Sequence, residues 1–243
     1  MLGIGTSIIH NQYLGLPDLE EVTDGAANNL DLWLKNNTDI IAEQWNDQSG
    51  DNRHVTASEG QHQASVSNGG LHFDGTNDHY DFSTITIAQN QGFCLAVVMN
   101  QDEGIDNNTI LSKDTDDVIN IVSSTSLQIV TNAGGSADSS IVFDSEATFD
   151  NSKMLLLINR TAGSQNAFTF FKNGTQITPN SSSSNLEAKG ENPFGFDINV
   201  LGAKAGTSQF FDGKILELAF WSRSLTSEEI VGVNDYLKDI HEL

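Results

Sequence analysis

Residues 71–82 read LHFDGTNDHYDF and concentrate side chains able to do chemistry. Asp74, Asn77 and Asp78 offer oxygens on one turn, and Asp212, in the segment FFDGK, offers a further carboxylate near the last strand-like run. A hard cation such as calcium takes several oxygen ligands from carboxylates, amides and carbonyls. The same residues are also good turn formers. Asp74-Gly75 opens a turn, glycine accepts positive φ, and Asn77 and Asp78 cap backbone amides. Residue types alone leave both readings open: a calcium site of Asp74, Asn77, Asp78 and Asp212, or a turn that satisfies itself. Two other acidic loops, QDEGIDNN and KDTDD, are weak candidate sites; neither has both the glycine and the closing glutamate of an EF-hand loop, and each reads as a solvated turn.

Catalytic constellations are sparse. Glycoside hydrolysis needs two carboxylates facing one bond. The sequence has no E-x-D, and Glu217 stands alone in its strand-like run. There is no G-x-S-x-G elbow, P-loop or G-x-G-x-x-G. The histidines at 10, 54, 62, 72, 79 and 241 lack the paired spacing of a zinc site. No enzymatic activity is expected. Trp33, Trp45 and Trp221 all sit in strand-like contexts, where core packing is the default.

The 243 residues suffice for one large β domain with a buried core. They carry 33 acidic and 11 basic residues, a net charge of −22. Such a surface repels a phosphate backbone and an anionic membrane, so no nucleic-acid partner is expected. Salt screens the self-repulsion, which suits a saline setting. The single cysteine, Cys94 in GFCLAVVM, reads as a core thiol. The N-terminal stretch MLGIGTSIIHNQYLGL lacks a basic start and does not read as a signal peptide. No apolar run reaches the roughly 18 residues a membrane span needs, so no membrane insertion is expected.

These residues must be held by strands. Short apolar runs at 30–35, 71–73, 93–99, 109–112, 118–122, 126–131, 140–143, 153–160, 167–172, 196–201 and 214–221 alternate with turn clusters. Asn173-Gly174 in FTFFKNGTQI is a hairpin signal. In GKILELAFW, simple alternation sets Leu216, Leu218 and Phe220 on one face, and Ile215, Glu217, Ala219 and Trp221 on the other. One helix closes the chain. Thr226 and Glu229 make a capping box, and Ile230, Val233, Leu237 and Ile240 share a face. Residues 1–28 read as an N-terminal arm for anchoring or oligomerisation, and 29–243 as the domain.

The order EQWNDQSG, then GGLHFDGTND, then FTFFKNGTQI, then FFDGKILELAFWSRSLTSEEI resembles concanavalin A-like, laminin G-type jelly-roll domains over roughly residues 28–243. The resemblance implies an all-β, two-sheet antiparallel jelly-roll sandwich with a short C-terminal helix. Such domains often bind calcium at a sandwich edge. Acidic laminin G-type chains with an apolar arm also resemble structural proteins of tailed, marine bacteriophages. That resemblance implies a non-enzymatic virion protein: a capsid decoration, fibre or tail-associated knob on the virion surface. It would be assembled in the host cytoplasm, held to other virion proteins through the arm, and homo-oligomeric. The alternative is a lectin-like carbohydrate-binding module, with or without calcium, acting in adhesion to glycans.

Overall fold

The computed structural model describes residues 18–23, 29–102, 107–131, 139–144, 149–162, 168–178 and 195–243. Within them the strands in the first half of the chain are β1 (Leu30–Leu34), β2 (Ile40–Ile41), β3 (Gln44–Trp45), β4 (Val55–Thr56), β5 (Ser65–Ser67), β6 (Gly70–Asp74), β7 (Tyr80–Ile87), β8 (Phe93–Gln101) and β9 (Asn108–Ser112). The second half adds β10 (Val118–Ser123), β11 (Ser126–Thr131), β12 (Ser139–Asp144), β13 (Met154–Arg160), β14 (Phe168–Lys172), β15 (Thr175–Ile177), β16 (Phe196–Leu201) and β17 (Asp212–Trp221). Two helices flank them, α1 (Leu19–Val22) and α2 (Ser227–His241).

The strands form two antiparallel sheets. One runs β15-β14-β13-β8-β17-β6-β5, with β1 also paired to β17; the other runs β12-β11-β10-β9-β16-β7-β4-β3-β2. The sheets pack face to face over a core that includes Trp45, Phe73, Tyr80, Phe93, Phe149 and Phe220. This is the jelly-roll sandwich the motifs imply. Among the described residues, each apolar run read from the sequence coincides with a strand to within a residue or two at its ends. The Asn173-Gly174 hairpin joins β14 to β15 with both residues at positive φ, 51° and 77°, as a two-residue hairpin turn requires. The Asn173 side chain also takes a hydrogen bond from Leu155 N (2.8 Å), fixing the hairpin to β13.

Simple alternation fails in β17. The register shifts between Ile215 and Glu217, where the strand pairs with β8. One extra residue at a bulge flips the sides that follow. Ile215 therefore joins Leu218 and Phe220 between the sheets, and Leu216 joins Ala219 and Trp221 on the outer face. Helices cover that outer face. Leu19 of α1 and Ile230, Val233 and Leu237 of α2 pack on Trp33, Val98 and Trp221 in a second apolar cluster, which also encloses Cys94. Burial pushes the Cys94 thiol well up, as for an inert core cysteine.

Asp18 caps α1 by accepting from the amides of Glu20 and Glu21, and Thr23 O accepts from Arg223 Nη2 (3.1 Å). Residues 18–23 of the segment read as an arm thus dock on the domain. The rest of that segment, 1–17 and 24–28, lies outside the described residues, as does most of the loop at 178–195. Among the described residues no helix is long and apolar enough to cross a membrane.

The capping box of α2 is present in both directions between Thr226 and Glu229. Arg223 grips the same carboxylate with Nη1 (2.9 Å) and Nη2 (2.6 Å). Burial alone would raise the Glu229 carboxyl, but the Arg223 fork and the Thr226 amide outweigh it and hold the pKa below its usual value of 4.5. A carboxyl lowered in the folded state stabilises above its unfolded pKa, and that contribution is lost as pH falls through the folded pKa. Arg223→Met is expected to shrink the loss of stability between neutral and acidic pH. Urea midpoints for both proteins on either side of pH 4 check this; an unchanged difference would contradict it.

Candidate functional site

The structure places Asp74 at the end of β6 and Asn77 and Asp78 on the turn to β7, and pairs Asp212 with Asp74 across β17 and β6. One carboxylate oxygen each of Asp74 and Asp78 is engaged within the turn. Asp78 Oδ2 accepts from Asp74 N (2.9 Å), and Asp74 Oδ1 accepts from Thr76 N (2.9 Å). Asn77 O meets His79 Nδ1 at 3.0 Å, and Asp212 N donates to Asn108 Oδ1 (3.1 Å). Burial pushes the Asp78 carboxyl up against the pull of the Asp74 amide. Among the described residues no three His, Cys, Asp or Glu side chains gather to hold a metal ion. These contacts make residues 74–79 a turn that caps its own backbone.

The other acidic loops follow suit. Asp114 Oδ1 accepts from the amides of Asp116 (2.9 Å) and Asp117 (3.1 Å), and Lys113 Nζ pairs with Asp197 (2.5 Å). Residues 103–106 of QDEGIDNN lie outside the described residues. His72 Nε2 reaches Asp102 Oδ2 at 2.6 Å.

The turn positions the elements beside it. Phe73 meets Tyr80 and Phe211 edge to face, at 5.9 and 5.8 Å. Tyr80 donates its hydroxyl to Ala42 O (2.5 Å), in the turn of the hairpin β2–β3. Burial drives the Tyr80 phenol far up, so it stays a donor. Trp45, fully buried, pins the same hairpin from below and donates Nε1 to Lys35 O (3.1 Å).

Above this base lies an open groove of about 440 Å³, lined by Asn37, Asp39, Ile40, Ile41, Gln44 and Asn46. That volume falls within the ~300–1,000 Å³ usual for small-molecule sites. Ile41 is 59% exposed and supplies an apolar platform. Asn37 and Asp39 hold left-handed backbone, φ 55° and 45°, a conformation Asn and Asp tolerate better than most side chains. Asn37 N donates to Gly69 O (2.9 Å) and Asn46 N to Asp39 O (3.0 Å), which sets the groove walls. Gln44 Nε2 donates to Asn46 Oδ1. Gln44 Oε1, Asn46 Nδ2 and the Asp39 carboxylate make no hydrogen bond among the described residues. Amide donors and acceptors, one carboxylate and an aliphatic strip suit the hydroxyls and C–H faces of a sugar.

Glu217 is not part of this groove. It is 1% exposed beneath α2. Its Oε1 accepts from Trp33 Nε1 (2.9 Å), and its Oε2 meets His241 Nε2 (2.8 Å). His241 takes the buried place that helical periodicity assigns to Ile240, which is 44% exposed. Beside them, burial raises the Tyr236 phenol, and the Glu217 carboxylate adds to that.

Sequence reasoning missed the groove because two-residue strands carry no periodicity. The available signal was NNTDIIAEQWND, an isoleucine pair bracketed by amides.

Two antiparallel sheets over a shared core, with one outer face sealed by helices, define a lectin-type β-sandwich. The chain belongs to the concanavalin A-like lectin/glucanases superfamily, whose sequence profile matches residues 74–231. Among curated proteins no sequence match is found. Among solved structures the chain is similar to the botulinum neurotoxin serotype D binding domain, with TM-score 0.59 and 14% identity over 87% of this chain and 52% of that one. The same toxin's ligand binding domain, solved with N-acetylneuraminic acid, gives 0.58 and 15%, over 87% and 52%. A Trypanosoma rangeli sialidase bound to sialic acid gives 0.56 and 14%, over 87% of this chain and 33% of that one. The chain thus spans about half of the toxin domains and a third of the sialidase. At these identities the likeness is one of fold. The groove lies N-terminal to the profile match.

Proposed function

We propose that the protein is a non-catalytic carbohydrate-binding module that takes a saccharide in the groove of Asn37, Asp39, Ile41, Gln44 and Asn46. The observation that carries this reading is an open groove that joins an exposed aliphatic residue to uncommitted amide and carboxylate atoms. The groove lining holds one carboxylate, whereas glycoside hydrolysis takes two. The superfamily and the ligand-bound toxin domain support the glycan class.

A glycan array tests it. The double variant Gln44→Ala/Asn46→Ala is expected to weaken binding by about 10-fold or more, since each lost hydrogen bond is worth ~1 kcal/mol. A chelator should leave binding intact, because the groove lining offers a single carboxylate where a hard cation takes several oxygen ligands. Unchanged binding in the double variant would move the site elsewhere. No binding to any glycan would end the reading.

The setting we read is the surface of a bacteriophage virion. There the module is a homo-oligomeric knob held to capsid or tail proteins by residues upstream of α1. Support comes from the motif resemblance and from the strongly acidic chain. Mass spectrometry of purified particles tests it, with a chain lacking residues 1–17 as the comparison. Normal incorporation of the truncated chain would contradict attachment through that segment.

A further inference from the structure

We infer that the groove selects uncharged saccharides and rejects sialylated, uronic and sulfated ones; this rests on the carbohydrate reading above. The groove lining contains a carboxylate, Asp39, and no Lys, Arg or His. Two cations carried by this part of the chain are already engaged. The Lys35 ammonium sits over the Trp33 ring, 4.5 Å from its centroid. The Arg53 guanidinium pairs with Asp51, lies 3.8 Å from an Asp31 carboxylate oxygen and donates to Asp31 O (2.9 Å). An anionic sugar entering the groove therefore meets Asp39 with no cation in the lining, within a chain of net charge −22.

The uncommitted atoms point to the same selectivity. Asp39 accepts only, so it calls for a donor, and a sugar hydroxyl supplies one. Gln44 Oε1 accepts and Asn46 Nδ2 donates, a pairing that a vicinal diol satisfies from both sides. Where a carboxylate or sulfate takes the place of a hydroxyl at these atoms, it offers acceptors alone and leaves them without a donor. Like charges a few ångströms apart near a protein surface lower affinity by about 5-fold or more. Salt screens such repulsion, so the discrimination narrows as ionic strength rises.

The test uses the full chain on an array of matched glycans, each neutral core printed beside its sialylated and sulfated forms, at low and high salt. The expected result is at least ~5-fold weaker binding of each charged form than of its neutral core, with the gap narrowing in high salt. Asp39→Asn removes the charge and keeps a residue suited to φ 45°, so the ratio of neutral to charged binding should fall toward one. Equal or tighter binding of the charged forms would overturn the selectivity while leaving the carbohydrate reading standing. So would a ratio that Asp39→Asn does not move. Silence on every spot, neutral and charged, would overturn both.

Discussion

Replacing Glu217 with alanine is expected to cost about 3 kcal/mol or more and to lower the thermal midpoint by roughly 6–12 °C. The carboxylate joins three elements: β17, which carries it, β1 through Trp33 Nε1, and the last turn of α2 through His241. All three residues lie in or beside the apolar cluster between the first sheet and its helices, with Trp33 3% and His241 5% exposed. Alanine there leaves an indole N–H and an imidazole buried without their acceptor. An unmade buried hydrogen bond costs more than a made one contributes. Glu217→Gln keeps an acceptor for the indole and should lose less than alanine does. Differential scanning calorimetry of the two variants and the parent checks the order. A shift under about 2 °C for alanine would show that α2 is held by its apolar face alone.

Gly202→Ala is expected to be the other severe change. Gly202 has φ +86°, and a methyl there would lie 2.4 Å from Phe73 Cε1 and 2.8 Å from Cδ1. The left-handed backbone costs an L-residue about 1–2 kcal/mol, and forcing a packed ring aside costs about 1–3 more. Phe73 cannot yield cheaply, because Tyr80 and Phe211 flank it edge to face. Nor can the loop yield. Gly202 N donates to Ile110 O (3.1 Å), and Phe211 N donates to Gly202 O (2.8 Å). Phe73→Leu in the same chain should recover part of the clash. Equilibrium urea unfolding of the two single variants and the double therefore yields a favourable coupling. Strict additivity would place the damage in the backbone alone.

What the sequence reveals depends on how local the signal is. The α2 capping box, the Asn173-Gly174 hairpin and the long strands β8, β13 and β17 rest on neighbours in sequence, and all are present. The bulge in β17 is not legible, because Ile215 and Leu216 are both apolar and suit either face; only pairing with β8 decides. The buried Arg160 is likewise set by tertiary context. It lies over Phe93 and Phe196 at 5.0 and 5.6 Å and donates Nε and Nη2 to Gln91 O, with burial drawing its pKa down to about 10. The Asp74 turn drew attention because acidic residues cluster there, yet its side chains cap their own backbone and seat Tyr80 under the hairpin. The groove was hidden for the opposite reason. Asn37, Asp39, Gln44 and Asn46 are common turn residues, and only the β2–β3 pairing with Trp45 beneath brings them to one opening.

The most direct test of a sugar-binding groove is a backbone amide NMR titration of the full chain with the neutral oligosaccharide that gives the strongest array signal. Shifts are expected to concentrate on residues 37–46, with Ile41, Gln44 and Asn46 the most displaced, while amides of the Asp74 turn and of α2 stay in place. Shifts centred on residues 74–78, or saturable binding that leaves 37–46 unmoved, would contradict the account.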